Sequence, residues 1–427
     1  MIIGIDDTDS VDGMCTTYLT AVLIEQLRGM GTIKGMPYLI RLNPNIKYKT
    51  RGNAALSLKI DANPGSQQRI MDTAVSLVDE MADVKYENTN PGIVFLSDEV
   101  MQDREFKHVL EAFMWRAIRD VLTIEDARII IDRFDLAHQG FKNGRGLIGA
   151  LAASGAAICG LPDHTYEMIA YRKPENFGTS RVIDHDSVFK ADKITYPNTW
   201  DTVDIANNTV VFAPHSPDPV LFGIRGDNTQ SIQQAFNMIE SEKIGRTILY
   251  MTNQGTDLHL LDGHICDIIE HRSYYLTGVV LEHPRTIEGG HTFFTLAEKA
   301  GTIECSAFEP TKDFRQVVRQ LMPGDRVKVY GSVQNGTLNL EKIDIIELSN
   351  QDIVQNPLCP SCGRRMKSAG HSQGFRCRRC GTSDREVSRN PVRRSITPGI
   401  YEVPPCARRH ISLPLVRSSD PRAFPSR

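Results

Sequence analysis

Apolar positions fall in short blocks from the first residue. Ile2, Ile3 and Ile5 predict a brief buried strand, and Leu19, Val22, Leu23 and Leu27 recur on one helical face, predicting an amphipathic helix from about Thr16 to Gly29. Leu39 and Leu42 flank a second strand, and the alternation of Leu56, Leu58 and Ile60 predicts a third. Residues 66–83 read as a second amphipathic helix. The turn at Asn90, Pro91 and Gly92 returns the chain to a strand, and residues 104–122 form a longer helix. The stretch FKNGRGLIGALAASGAA then predicts a glycine-rich loop opening a helix of small residues.

From Tyr166 the pattern changes. TYEMIAYRK reads as a strand, GTSRVID as a turn and second element, and PVLFGIRGD as an apolar strand before a helix near Thr229 to Ile239. Two to four strands with two helices suit a ferredoxin-like sandwich. Residues 273–348 give five strands and one helix, with an Asn335-Gly336 hairpin, in the order of an OB barrel. Such barrels bind single-stranded or irregular nucleic acid on one face, although protein contact is another use. The expected units are residues 1–155, 156–270, 271–350 and 351–383, followed by an Arg-rich tail over 384–427 expected to be extended or disordered without a partner.

At 427 residues the chain exceeds one core, since domains average about 150 residues. No apolar run reaches the roughly 18 residues of a membrane span, and no basic region precedes an apolar stretch at the N-terminus. A cytoplasmic protein without membrane contact is expected. The net charge of −3 hides an asymmetry: from Cys359 onward there are 15 Lys and Arg against 4 Asp and Glu. That segment is a candidate for an acidic polymer, nucleic acid first, a solvated basic tail being the plainer reading.

The densest chemistry lies at the end of the first strand. Asp6, Asp7, Thr8 and Asp9 follow one another, with Asp12, Gly13 and Thr16 close behind. Hard carboxylate oxygens suit Mg²⁺, which is commonly held by one or two carboxylates plus substrate phosphates. Hydroxyls of Thr16 and Thr17 sit near a helix start, where free N–H groups favour phosphate. An EF-hand fails, because Val11 and Tyr18 occupy positions that need an acid and a Glu. A dehalogenase-like phosphatase with a nucleophilic Asp stays open, as does an acidic loop that only caps a helix. Arg41, Asn43, Lys47, Lys49, Thr50, Arg51 and Asn53 form a basic loop with almost no acid, suited to polyphosphate, or simply a solvated turn. Gly140, Gly144, Gly146 and Gly149 can wrap a phosphate or allow close helix packing, and they match neither a Walker A nor a kinase loop. Asp184, Asp186, His215 and Asp218 can hold a cationic ligand or be ordinary loop acids.

Four of the nine cysteines form Cys359-x₂-Cys362 and Cys377-x₂-Cys380, with Gly363 and Gly381 just after each pair. Two such turns aim four thiolates at one tetrahedral Zn²⁺ in a zinc ribbon. The remainder are scattered and odd in number, which favours a reduced compartment with one metal site over disulfides. Arg364, Arg365, Lys367, Arg376, Arg378 and Arg379 decorate the ribbon, as a phosphate-facing knuckle would be.

In order, IDDTDSxxGMCTTYL, RLNPxIxYKTRGN, TNPG, GRGLIGALAA, PVLFGIRGD, an OB barrel and a CxxC…CxxC ribbon resemble the archaeal 2-agmatinylcytidine synthetase family from residue 1 to about 382, the Arg-rich tail lying outside. The resemblance implies a multidomain α+β protein: an atypical kinase-like α/β N-terminal domain, a ferredoxin-like domain, an OB-fold β-barrel and a C-terminal zinc ribbon. It implies a ligase that cleaves ATP to AMP and uses the γ-phosphate to activate the 2-carbonyl of the wobble cytidine in the CAU anticodon of the minor isoleucine tRNA. The agmatine amine then displaces that oxygen, giving agmatidine, and AUA codons are decoded. By the same resemblance Asp6, Asp7 and Asp9 hold Mg²⁺, with Asp12 secondary, Thr16 is phosphorylated, and Lys49, Arg51 and Arg41 clamp phosphate. Asn43, Thr50, Asn53, Gly144, Arg145 and Gly146 are expected at the nucleotide. Agmatine is expected near Thr179, Arg181, Asp184, Ser216, Phe222 and Gly223, with Zn²⁺ on the four ribbon cysteines, tRNA on the barrel and ribbon, and no DNA. A non-catalytic tRNA-binding protein and an Asp-dependent phosphatase are the alternatives. ATP consumption with RNA and agmatine, or hydrolysis of a simple phosphate ester, separates them.

Overall fold

The structure, a computed structural model, describes residues 1–50 and 52–427. Its first unit runs β1 (Ile2–Asp6), α1 (Thr16–Gln26), β2 (Tyr38–Arg41), β3 (Ala54–Ala62), α2 (Gln67–Met81), β4 (Gly92–Leu96), α3 (Arg104–Arg119), α4 (Ile124–Arg133), β5 (Ala137–Gly140) and α5 (Leu147–Cys159). The long helix expected over 104–122 is α3, and α4, which the sequence pattern does not predict, follows it. The break falls at Thr123, whose hydroxyl accepts from the Asp126 N–H while the Asp126 carboxylate accepts from the Thr123 N–H, a capping box that starts α4.

β1 is central and pairs with both β3 and β4, and its two faces are covered by separate cores, Ile2 packing with residues of α3 and α5 and Ile3 and Ile5 with residues of α1 and α2. α5 lies against it at unusually close range. A Cβ at Gly4 would overlap the Ala150 carbonyl, and one at Gly92 would overlap the Leu147 nitrogen. The glycines and alanines that made this stretch ambiguous thus serve packing, with Leu147, Ala150, Leu151, Ala152 and Ala153 in the core.

A second unit follows: β6 (Thr165–Arg172), α6 (His185–Thr195), β7 (Val220–Gly226), α7 (Thr229–Met238) and β8 (Ile244–Thr252). β6 lies between β7 and β8, antiparallel to both, with α6 and α7 contributing Val188, Ala191, Ile232 and Ala235 to one core. The two units share one sheet, because β8 pairs in parallel with β2 through Met251 opposite Tyr38 and Thr252 opposite Leu39. The order is β5-β4-β1-β3-β2-β8-β6-β7, with Thr199–Trp200 beyond β7 and Gly31–Ile33 beside β3.

The barrel comprises β9 (Ser273–Val280), β10 (Thr292–Glu298), β11 (Gly301–Ala307), α8 (Phe314–Arg319), β12 (Arg326–Gln334) and β13 (Thr337–Glu347). β9 pairs with β10 and β12, β10 with β11, and both β11 and β12 with β13, which closes the ring. Beyond it β14 (Asp352–Gln355) and β15 (Ser388–Pro391) pair at the base of the ribbon.

The tail is not a loose basic segment. β16 (Gly399–Glu402) extends the barrel sheet through β13, and Ile411 and Leu415 are buried. Arginines of the tail are met by acids of the body, Arg408 by Asp201, Arg409 by Glu341, Arg417 by Asp163 and Asp227, Arg422 by Asp344 and Arg427 by Asp192, while Arg408 pairs also with Glu402 of β16. Buried charge is tolerated where it is paired, so complementary acids far back in the chain order what composition alone marks as solvated. No helix among the described residues is long and apolar enough to cross a membrane.

Candidate active site and zinc centre

A cleft of about 910 Å³ opens where the first two units share their sheet. Asp6, Asp7 and Asp9 line it from the end of β1, Thr16 and Thr17 from the start of α1, and Arg41, Asn43, Lys49, Thr50 and Asn53 from the basic loop. Arg145 enters from the glycine-rich loop, and Glu167, Ser216, Asp218, Gly223 and Arg225 from the second unit.

The acids converge because β1 ends abruptly. Asp7 has φ 61, in the left-handed region that Asp tolerates better than most residues, and this breaks the strand's alternation. Burial first, then the neighbouring charges of Asp7 and Asp9, hold the Asp6 carboxyl well above its usual range. Burial raises Asp7 to about 6 although Arg145 lies 2.8 Å away and opposes the shift. Three carboxyls against one guanidinium leave an excess of negative charge in this wall of the cleft. Asp9 accepts from Thr50 at 2.9 Å, which ties the basic loop to the acidic end.

Thr16 is buried as the first residue of α1, and its hydroxyl accepts from Thr8 at 3.1 Å. The N-cap Cys15 makes no side-chain capping bond. Arg145 also donates to the carbonyls of Tyr48 and Asn88 and stacks on Tyr48, 5.4 Å from the ring centre.

The remaining expected residues divide. Arg41 reaches the cleft, but its guanidinium is engaged: Nε donates to Gln254 and Nη1 to the Gly52 carbonyl, with Glu167 3.6 Å from Nη2. Asn43 donates to the His271 carbonyl of the barrel, and Asn53 to the Asn43 carbonyl, so both shape the loop. Lys49 donates to the Pro44 carbonyl; partial burial, then the charge of Arg409, holds its ammonium below the usual range. Arg51 lies outside the described residues. Asp12 is exposed and off the cleft lining. Gly144 and Gly146 do not line it either, and Gly146 packs against Gly92 and the Asp6 carbonyl.

Of the residues expected at agmatine, Ser216 and Gly223 line the cleft. Asp184 caps α6 by accepting from the Ser187 N–H, and Thr179 is held by Arg172. Phe222 is buried, stacked 4.8 Å from Phe212 in the core behind the wall. Arg181 is not among the cleft-lining residues; it donates to the carbonyls of Ser216 and Val220 and pairs with Asp218, and so braces the loop that carries Ser216. Sequence reasoning missed Glu167 and Arg225, a 3.1 Å pair in the second unit's wall. Glu167 is 3 % exposed, its Oε1 taken by Arg225, and a single acid inside the apolar stretch TYEMIAYR is the signal that marks it.

In the ribbon, the Sγ atoms of Cys359, Cys362, Cys377 and Cys380 all lie within 4.8 Å of one another. The closest approaches are 3.3 Å for Cys359 with Cys380 and 3.5 Å for Cys362 with Cys377. A tetrahedral zinc with bonds of about 2.3 Å spaces its sulfurs about 3.8 Å apart, so the four thiols fit Zn²⁺.

Family models match along the chain: the TiaS TCKD domain over 2–143, the TiaS FLD domain over 144–259, an OB-fold nucleic acid binding domain over 274–353 and the TiaS C-terminal zinc ribbon domain over 356–396. The tRNA(Ile2) 2-agmatinylcytidine synthetase TiaS of Methanosarcina mazei is 49% identical over 433 residues, covering 100% of both chains. Among solved structures, apo TiaS superposes with a TM-score of 0.91 at 45% identity, covering 100% of this chain and 99% of the other. A TiaS complex with tRNA(Ile2), AMPCPP and agmatine gives 0.89 at 42% identity, with the same coverage. These matches extend through the Arg-rich tail that the motif pattern left outside.

Proposed function

The chain belongs to the tRNA(Ile2) 2-agmatinylcytidine synthetase family, and from that premise we propose that its cleft joins agmatine to the wobble cytidine of the isoleucine tRNA with the anticodon CAU at the expense of ATP. The observation that carries this reading is the meeting of two unlike walls in one cavity, a carboxylate cluster suited to a metal-bound triphosphate and a wall from the ferredoxin-like unit. Relatives solved with tRNA(Ile2), an ATP analogue and agmatine support it.

In this account the units are an ATP-binding kinase-like domain, a ferredoxin-like agmatine-binding domain, an RNA-binding barrel and a zinc ribbon. Asp6, Asp7 and Asp9 hold Mg²⁺, which when bound neutralises triphosphate charge. Arg145, with Lys49 and Arg51, positions the γ-phosphate toward the cytosine 2-oxygen. Transfer of the γ-phosphoryl group to that oxygen turns a poor leaving group into phosphate and leaves ADP, whose remaining phosphoanhydride bond is cleaved by water to give AMP and a second phosphate. The agmatine amine then attacks C2, a C–N bond forms, the C2–O bond breaks and the oxygen leaves with the phosphate. Because the wobble base must reach the cleft, it is extruded from its stack. Thr16 lies where it takes a phosphate in the same field. Zn²⁺ on the four cysteines fixes the ribbon as a tRNA-binding surface. The site of action is the cytoplasm, where tRNA is available.

The test supplies tRNA transcript, agmatine and ATP to the purified protein and follows incorporation of agmatine into the anticodon. Incorporation with AMP release supports the reading, and hydrolysis of simple phosphate esters without RNA overturns it.

A further inference from the structure

The segment after the ribbon ties the barrel to the ferredoxin-like unit. It leaves the barrel as β16, hydrogen-bonded to β13 from Gly399 to Glu402. It then crosses to the ferredoxin-like unit. Arg408, 3 % exposed, is held between Asp201 and Glu402. The His410 carbonyl accepts from the Gly255 N–H at 3.0 Å, and the Leu413 N–H donates to Asp257 at 2.6 Å. Arg417 gathers three partners from separate parts of that unit: Asp163 at 2.9 Å, Asp227 at 2.7 Å and the Gly255 carbonyl. Arg422 returns to the barrel at Asp344, and Arg427 ends on Asp192 of α6 while its carbonyl accepts from Ala206.

The same segment also reaches under the cleft. The His410 ring lies edge-on to His259, 5.7 Å between centres, and His259 Nε2 is 3.0 Å from the Arg41 carbonyl at the end of β2. Arg409 pairs with Glu341 and donates to Ser332 of the barrel, close enough to Lys49 for its charge to act on that ammonium.

We infer that residues 404–427 are a strap that sets the distance and angle between the RNA-binding barrel and the catalytic cleft, with Arg417 as its main positioning residue. Charge decides how it holds. Arg408 joins Asp201 of the ferredoxin-like unit to Glu402 of β16, Arg417 and Arg427 hold acids of the ferredoxin-like unit, and Arg409 and Arg422 hold acids of the barrel, so the strap is pinned to both units along its length. Removing a partly buried guanidinium leaves its acids unpaired and weakens the placement, which direct bonds such as Asn43 to the His271 carbonyl and Arg272 to Asp120 then hold less tightly. A base presented by the barrel then reaches the reacting atoms less often, and small misplacements of reacting groups are costly in rate. This rests on the proposed function, since it names what the placement serves.

The experiment compares wild type, Arg417→Gln and the charge-keeping Arg417→Lys in the full chain with zinc bound. Two spin labels at the exposed Glu175 and Leu281 report the distance between the ferredoxin-like unit and the barrel, and kinetics are followed for tRNA, agmatine and ATP. Arg417→Gln is expected to broaden the distance distribution and raise the KM for tRNA by about tenfold, with agmatine and ATP-analogue affinities measured without RNA unchanged. Arg417→Lys is expected to recover most of both losses. An unbroadened distribution or an unmoved tRNA KM in Arg417→Gln overturns the inference. So does a parallel loss of agmatine affinity, which makes the strap a folding element. Wild type that transfers no agmatine refutes the proposed function instead, and the distance measurement alone then decides the strap.

Discussion

Gly149 and Asp6 occupy adjoining space so tightly that a Cβ on Gly149 would overlap the Asp6 carboxylate. The helix therefore fixes where the first acid of the cluster lies, and a methyl group is enough to move it. Gly149→Ala is expected to lower ATP turnover by at least about tenfold, because displacement of a ligand by a fraction of an ångström disrupts a preorganised site. Overpacking costs about 1–3 kcal/mol, so the fold survives. Turnover at the wild-type rate, measured as AMP released with tRNA and agmatine, would remove Asp6 from the metal site.

Asp7 is the acid shared between Arg145 and the cleft. Asp7→Asn is expected to abolish ATP turnover and to leave tRNA affinity within a few-fold of normal, since phosphate and base contacts of the RNA lie on other units. Isothermal titration with tRNA alongside the turnover assay checks both halves.

Thr16 is a distinct case, because its hydroxyl already accepts from Thr8 and its burial matches a structural role. Loss of a merely structural hydroxyl costs on the order of 1 kcal/mol and spares the chemistry. As a phosphoacceptor it behaves differently. Incubation with γ-labelled ATP is expected to label wild type and Thr17→Val but not Thr16→Val, and full labelling without Thr16 contradicts its role.

The ribbon offers a test independent of catalysis. Cys377→Ser is expected to release zinc, because a tetrahedral site loses a ligand, and to weaken tRNA binding as the segment bearing Arg376, Arg378 and Arg379 loses its frame. Zinc near one per chain in the variant, or unchanged RNA affinity, counts against the respective half.

Beneath the cleft, burial pushes His259 down to about 4 and, aided by the charge of Arg41, holds His410 well below its usual value. Both are neutral when folded. In the unfolded chain they titrate near about 6.5, so below that pH the unfolded state binds protons the fold refuses. Stability from these groups is thus complete above about pH 7 and falls as pH drops toward 4, by roughly 2 kcal/mol for His259 at pH 5, with His410 acting in the same direction. Denaturant midpoints at pH 7 and pH 5 measure it, and a His259→Gln, His410→Gln double variant is expected to flatten the difference.

What the sequence made legible was local. The strand of Ile2, Ile3 and Ile5 ending in acids, the cysteine spacing and the barrel's strand order each follow from neighbouring residues. The barrel and the zinc ribbon are present where those patterns put them. The tail misled because its arginines are neutralised by residues such as Asp163 and Asp192, far back in the chain, and charge counted along a segment says nothing about acids that fold against it. Glu167 was hidden for a related reason. Its meaning comes from Arg41 on another unit's strand, and only the pairing of β2 with β8 brings the two within 3.6 Å.

That pairing also sets the tempo of the site. Because backbone hydrogen bonds run from one wall of the cleft to the other, parting the walls means breaking a sheet, and hinge closure between them on the microsecond-to-millisecond scale is denied to this enzyme. Small substrates must come and go past the side chains and the loop that carries Tyr48 and Lys49, motions of nanoseconds to microseconds.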